Sequence, residues 1–82
     1  MIICQVTGSV ISTRKNEKLT GSKFLIVEPL DSRGSFVAVD NIGAGVGERV
    51  LVVCGSGARL ACNGADTPVD AAIVGIIDEG TY

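Results

Sequence analysis

The clearest sign of the structural class is the segment Glu48-Arg49-Val50-Leu51-Val52-Val53-Cys54, which is rich in β-branched and apolar residues. Such a run is typical of a β-strand, because branched side chains pack well on a pleated surface. Alternating glycines at Gly43, Gly45 and Gly47 lead into the segment, and Gly55-Ser56-Gly57 follows it. The composition and the short length of the segment therefore predict a strand between two turns.

Further short segments of the same kind occur along the chain. Glycine occurs 11 times in 82 residues and separates the β-branched runs, which is typical of an all-β chain. In the first run, polar residues alternate with apolar ones, the period expected of a half-buried strand, and Gly8 predicts a bulge or a sharp bend. The predicted strands are residues 2–12, 23–29, 35–40, 48–54 and 71–78, with a hairpin turn at 31–34 and a helical turn at 58–62 closed by Asn63-Gly64.

This arrangement predicts a single domain spanning residues 1–82, since the chain is too short for a second core. Five strands with one short helical insertion before the last match a small OB-like β-barrel, a partly closed Greek-key barrel. The last predicted strand is apolar throughout its centre, so we expect it to lie centrally and not at an edge.

The charge balance argues against nucleic acid. Seven Lys and Arg residues against nine Asp and Glu residues give a net charge of −2. Phe24, Phe36 and Tyr82 are the only aromatic residues, whereas a barrel that binds single strands needs a basic groove and exposed aromatic side chains. We therefore predict no nucleic-acid partner, and the same lack of basic surface argues against an anionic membrane.

The apolar content predicts self-association. Hydrophobic residues make up 46% of the sequence, yet a chain of this length buries only roughly 60–65% of its unfolded surface. Exposed apolar patches of more than a few hundred Å² are rare on soluble monomers, so a second subunit is expected to cover the remainder.

Metal, cofactor and catalytic chemistry have little support in the sequence. Histidine is absent, and Cys4, Cys54 and Cys62 form no C-x-x-C pair, so we expect no metal and no cofactor. Without histidine a Ser or Cys nucleophile has no obvious base, and the acidic residues at strand ends are expected to cap backbone N–H groups or face water. Cys4 and Cys54 are predicted core residues, and Cys62 is the more exposed thiol. The odd cysteine count and the apolar runs, which are far shorter than the ~20 residues that cross a bilayer, predict a cytoplasmic protein.

Two glycine-rich segments could hold a ligand. Gly43-x-Gly45-x-Gly47 lacks the G-x-G-x-x-G spacing of a dinucleotide site and precedes a strand instead of a helix, so a tight structural turn is favoured. Gly55, Ser56, Gly57 and Arg59 place amides, a hydroxyl and a guanidinium at the start of a possible helix, where anions can bind. The alternative is a glycine-rich turn in which Ser56 is the N-cap.

Three stretches together resemble the EutN/CcmL family of bacterial microcompartment and carboxysome vertex proteins: residues 38–52, 55–59 and 68–78. The opening Val6-Thr7-Gly8 is also similar to that family, although Gly57 stands where relatives commonly have Ser or Ala. The resemblance implies a five-stranded barrel that assembles into a homopentamer and caps the five-fold vertices of a shell whose other tiles are hexameric shell proteins. It implies no catalytic role.

The resemblance also gives the segments a place in such an assembly. We expect Gly55, Ser56, Gly57 and Arg59 to line a pore at the five-fold axis. We expect the subunit or shell interface to include Asn41, Ile42, Gly43, Ala44, Gly45, Glu48 and Arg49. The alternative function is an OB-type module that binds a small anion or a protein within an enzyme complex.

Overall fold

The computed structural model describes residues 1–13, 15–31, 34–62 and 67–78. It contains five strands, namely β1 (Ile2–Val10), β2 (Lys23–Pro29), β3 (Phe36–Asp40), β4 (Arg49–Cys54) and β5 (Ala71–Ile77). A 3₁₀ turn spans Glu17–Leu19, and one short helix, α1, spans Ser56–Ala61. The predicted strand segments are therefore confirmed, with β1 two residues shorter than expected and α1 beginning two residues earlier. The predicted turn centre at residues 32–33 and the closing Asn63-Gly64 lie outside the described residues.

The strands form a closed barrel in the order β1-β2-β3-β5-β4. Most neighbours are antiparallel, and β4 lies between β1 and β5. Closure depends on a short parallel pairing of β3 with β5, in which Val39 faces Ala72 and Asp40 faces Ile73. β5 is thus paired on both sides, as its apolar sequence predicts.

A β-bulge bends β1 where the sequence places Gly8. The register of β1 on β2 shifts between Val6 and Gly8, and Gly8 then faces Ile26. A Cβ atom at Gly8 would lie 3.4 Å from Cδ1 of Ile26, so the glycine lets the two strands meet closely. Bulges of this kind supply the curvature that a small closed barrel requires.

The core has two parts on opposite sides of the sheet. The inner cluster fills the barrel and consists of Cys4, Val6, Leu25, Val27, Ala38, Ala44, Val50, Val52, Ala71 and Ile73. The outer cluster lies between α1 and the barrel wall and consists of Val39, Ala58, Val69 and Ala72. Full burial of one Val or Leu side chain stabilises the fold by about 1.5–3 kcal/mol, so the inner cluster is the main source of stability.

The cysteines are only partly where the sequence predicts them. Cys4 is buried in the inner cluster, as expected. Cys54 is exposed and is not a core residue, because it is the last residue of β4 and lies at the rim of the barrel, where the chain turns into α1. Cys62 is half-buried, so the prediction that it is the more exposed thiol is also wrong.

Candidate functional site

The loop between β3 and β4, residues 41–48, is called here the glycine loop, and a buried carboxylate holds its first half. Asp40 is only 3% exposed at the end of β3. Its Oδ1 accepts a hydrogen bond from the backbone N–H of Ile42 at 3.0 Å, and its Oδ2 accepts one from the N–H of Ala44 at 2.8 Å. Asp40 therefore caps backbone N–H groups, as predicted for acidic residues at strand ends, and fixes the path of the chain as it leaves the sheet.

Lys23 joins the same network from the neighbouring strand. Its Nζ donates a hydrogen bond to the carbonyl oxygen of Ala44 at 2.7 Å and lies 3.8 Å from Oδ2 of Asp40. The pair follows from the hairpin register, because Lys23 faces Asp40 across β2 and β3. Sequence reasoning missed this pair as part of the site, although counting register along the β2–β3 hairpin would have brought the two residues together.

A second carboxylate holds the other half of the glycine loop. Oε1 of Glu48 accepts a hydrogen bond from the N–H of Gly45 at 2.7 Å. The N–H of Gly47 donates to the carbonyl oxygen of Val6 at 2.9 Å, and the N–H of Val6 donates back to the carbonyl oxygen of Glu48 at 2.9 Å. Gly43 and Gly47 have φ values of 91° and 93°, which side-chain-bearing residues rarely adopt. The loop is thus a braced turn, as the sequence favoured.

The braced loop presents apolar side chains to solvent. Ile42 is 47% exposed and Val46 is 64% exposed, although both are aliphatic. Of the predicted interface residues, Asn41, Ile42, Gly43 and Glu48 are exposed, Gly45 and Arg49 are half-buried, and Ala44 is buried. Ala44 belongs to the inner cluster, so its side chain anchors the loop in its own barrel and has no surface left for a neighbour.

The corner between β4 and α1 holds the four predicted pore residues. Gly55 has φ 72° and is the N-cap of α1, with no side chain capping the helix, so the prediction that Ser56 is the N-cap is wrong. The reason is that α1 begins at Ser56 itself, and the turn is closed by the N–H of Gly55, which donates to the carbonyl oxygen of Asp70 at 2.8 Å. Ser56 and Arg59 are exposed and Gly57 is half-buried.

Close packing holds α1 against the wall of the barrel. The side chain of Ala58 is fully buried in the outer cluster. A Cβ atom at Gly57 would lie 3.1 Å from Cγ2 of Val53, tighter than an ordinary van der Waals contact. Glycine at this position therefore lets the helix lie close to β4.

Cys62, the C-cap residue of α1, lies beside the start of the glycine loop. Burial raises the pKa of the Cys62 thiol, and a side-chain hydrogen bond with Asn41 acts in the opposite, smaller sense. The start of the glycine loop and the end of α1 are therefore neighbours in the folded chain. The structure thus brings a predicted interface residue next to the helix that carries the predicted pore residues.

Neither segment brings together the side chains of a metal site. Among the described residues, no three His, Cys, Asp or Glu side chains come together in a way that could hold a metal ion. Asp40 is occupied by two backbone N–H groups, and Glu48 by one. Within the same residues, no helix is long and apolar enough to cross a membrane.

Comparison with known proteins identifies the architecture. The family model described as "Ethanolamine utilisation protein EutN/carboxysome" matches residues 1–78. The chain belongs to the EutN/CcmL family. This finding confirms the resemblance seen in residues 38–52, 55–59 and 68–78.

Individual members of the EutN/CcmL family agree in sequence and in fold. The carboxysome shell vertex protein CcmL of Thermosynechococcus vestitus is 51% identical over 95% of this chain and 84% of its own length. A solved structure of the ethanolamine utilization protein EutN superimposes with a TM-score of 0.94 at 41% identity, covering 100% of this chain and 91% of the other. The GrpN pentameric microcompartment shell protein from Rhodospirillum rubrum gives a TM-score of 0.84 at 44% identity, covering 95% and 94%. The CcmL and GrpN relatives are named as shell proteins.

Proposed function

We propose that this chain is a structural shell protein, that five copies form a ring, and that the ring caps a five-fold vertex of a bacterial microcompartment in the cytoplasm. The observation that carries this conclusion is the agreement with the pentameric GrpN shell protein over 95% of the chain at a TM-score of 0.84. A flat layer of hexagonal tiles cannot close, and a pentagonal tile supplies the missing curvature. The function is therefore one of shape and contact.

The architecture supports a structural role. A closed barrel leaves few unpaired strand edges, so the subunit is a rigid unit that contacts others through its faces and loops. The glycine loop is braced at both ends and yet exposes Ile42 and Val46. Rigid apolar side chains lose little conformational entropy when a partner covers them, so such a loop suits an interface.

The proposed ring also leads to proposed roles for the two glycine-rich segments. The glycine loop contacts a neighbouring subunit or the adjoining hexameric shell proteins, through the predicted interface residues other than Ala44. Gly55, Ser56, Gly57 and Arg59 lie toward the five-fold axis. The exposure of Ser56 and Arg59 in the single chain supports this placement, because residues that line an axis must be free of their own barrel.

No observation favours the alternative of an anion-binding or protein-binding module in an enzyme complex. α1 has only six residues, and its N-cap contributes no side chain. The amides at its start belong to a tight turn, in which the N–H of Ala58 already donates to the carbonyl oxygen of Gly55 at 3.1 Å.

Native mass spectrometry at micromolar concentration tests the ring directly. One chain has a mass of 8.4 kDa, so five chains give about 42 kDa. We expect the five-chain species to dominate, and a stable monomer would overturn the proposal. Co-expression with hexameric shell proteins, followed by electron microscopy, tests the vertex role, since closed particles should form with the chain and open tubes or sheets without it.

A further inference from the structure

We propose that each subunit contacts the next copy of this chain through an outer apolar face formed by Ile3, Leu30, Leu51 and Gly75. The inference rests on the proposed ring and identifies one of the two surfaces that the ring requires. A cyclic pentamer is built from heterologous contacts, so every chain must offer two different patches.

Strand register places these residues in one row across the barrel. Ile3 faces Leu51 in the pairing of β1 with β4, and Leu51 faces Gly75 in the pairing of β4 with β5. The N–H of Leu30 donates to the carbonyl oxygen of Ile3 at 3.2 Å, which places Leu30 at the other end of the row. The row therefore runs from the end of β2 to β5.

The side chains of the row point away from the core. Their chain neighbours Cys4, Val50 and Val52 are fully buried inside the barrel, and successive residues of a strand face opposite sides. Ile3, Leu30 and Leu51 belong to neither core cluster. Leu30 is 45% exposed, and Ile3 and Leu51 are half-buried. The face is thus apolar and is only partly covered by the single chain, with Leu30 its most exposed side chain.

Gly75 has no side chain, so another chain can approach this end of the row closely. A Cβ atom there would lie 3.7 Å from Cβ of Leu51, an ordinary contact, and no positive φ is found at this residue. The packing of the single chain therefore accepts a side chain at this position. The register of β4 on β5 shifts next to this pair, between Leu51 and Val52, so Gly75 lies beside a β-bulge. A glycine inside a strand marks either a bulge of this kind or the close approach of another backbone.

The proposed ring makes a second copy of this chain the occupant of the face, and the area that a stable contact needs supports the use of the barrel wall. A standard interface buries about 800 Å² on each partner, so two such patches take about 1,600 Å², roughly a third of the 4940 Å² surface of the chain. The glycine loop is too small to supply that area, so the ring must also use the barrel wall. α1 packs on the wall at Val53 and Ala72, and Ile3, Leu30 and Leu51 are not among the residues of that cluster.

The border of the outer apolar face has the polar character of an interface rim. In the next row toward the β3–β4 end of the barrel, Glu28 faces Gln5, and Gln5 faces Arg49. This row places an acidic and a basic side chain along one side of the apolar patch. An apolar centre with a polar edge is the usual organisation of a protein interface.

The test replaces Leu51 by Lys and uses Val10→Lys as the matched control. Val10 lies in β1 with Ile3, is 37% exposed, and is seven residues farther along the strand, about 23 Å away. Native mass spectrometry at the same micromolar concentration is expected to give a five-chain particle for the unmodified chain and for Val10→Lys, and a monomer for Leu51→Lys. Far-UV circular dichroism of the monomer should keep the β-sheet signature.

The outcomes separate the inference from the proposed function. A five-chain particle formed by Leu51→Lys overturns the assignment of this face, as does dissociation of both variants, while the proposed ring stands. A monomeric unmodified chain overturns the ring and the face together. If Leu51→Lys does not fold, Leu51→Ala decides the question, since we expect at least a tenfold rise in the concentration at which the ring dissociates, and an unchanged concentration refutes the inference.

Discussion

Removal of the Asp40 carboxylate is expected to be the most damaging change to the glycine loop. In Asp40→Ala, the backbone N–H groups of Ile42 and Ala44 lose their acceptor, and the one at Ala44 is left in a buried position. A hydrogen bond to a charged group contributes about 1.5–3 kcal/mol. Two such bonds, with the exposed Lys23 pair adding little, give a loss of about 3–6 kcal/mol in the free energy of unfolding.

A loss of that size is large compared with the stability of a chain of 82 residues, which is about 4–12 kcal/mol at the usual stability per residue. We expect the melting temperature to fall by at least about 12 °C, measured by circular dichroism at one fixed protein concentration. The fixed concentration matters because the stability of an oligomer depends on it.

Two controls make this result specific. Asp70 is exposed and serves the fold through its backbone carbonyl, which Asp70→Ala retains, so that variant should change stability by less than about 0.5 kcal/mol. Lys23→Met removes the ammonium group but leaves both Asp40 hydrogen bonds in place, and it should cost clearly less than Asp40→Ala. The reasoning is refuted if Asp40→Ala melts within about 4 °C of the unmodified chain, or if Lys23→Met is the more damaging change.

Two further perturbations test the backbone and the thiols. Gly43→Ala should destabilise the chain by about 1–2 kcal/mol, because the φ of Gly43 is 91° and alanine rarely adopts such a value. Gly45→Ala should cost less, since Gly45 has no positive φ and an added Cβ atom would make only an ordinary contact of 3.6 Å with Glu48. Equal melting temperatures of the two variants would contradict this prediction. Iodoacetamide should modify exposed Cys54 well before buried Cys4, as peptide mass mapping would show. Because burial raises the pKa of Cys4, the stability that it contributes is complete below the unfolded value of about 8.5 and is lost as the pH rises through the folded value. Cys4→Ala should therefore lose less of its melting temperature between pH 8 and pH 10 than the unmodified chain does, and identical losses would count against this.

The strands could be predicted because their signals are local. Alternation in β1, the β-branched run in β4 and glycine at both ends of each run belong to short windows of sequence. The pairing of Val39 with Ala72, which closes the barrel, has no local signal, since it joins residues 33 positions apart and depends on the other strands already being in place. The predicted five-stranded barrel is confirmed, and the structure adds that its sheet closes completely.

The position of the glycine loop could be predicted from the sequence, but the interactions that hold the loop could not. The glycines located the loop, but the buried state of Asp40 and its link to Lys23 depend on the register of the β2–β3 hairpin. Cys54 was wrongly assigned to the core because alternation along a strand does not show where the barrel ends. A residue at the rim of the barrel is exposed, since no further row of side chains covers it.

β4 shows how one strand serves both folding and assembly. Val50 and Val52 face inward and are fully buried, whereas Leu51 between them faces outward and belongs to neither core cluster. Because the side-chain period is two, the two sets of residues can change almost independently. A charged residue at Val50 or Val52 is expected to abolish folding, while one at Leu51 leaves a folded barrel that no longer assembles. Substitutions at alternate residues of β4 would then affect either stability or ring formation. This pattern is not expected of a protein that functions as a monomer.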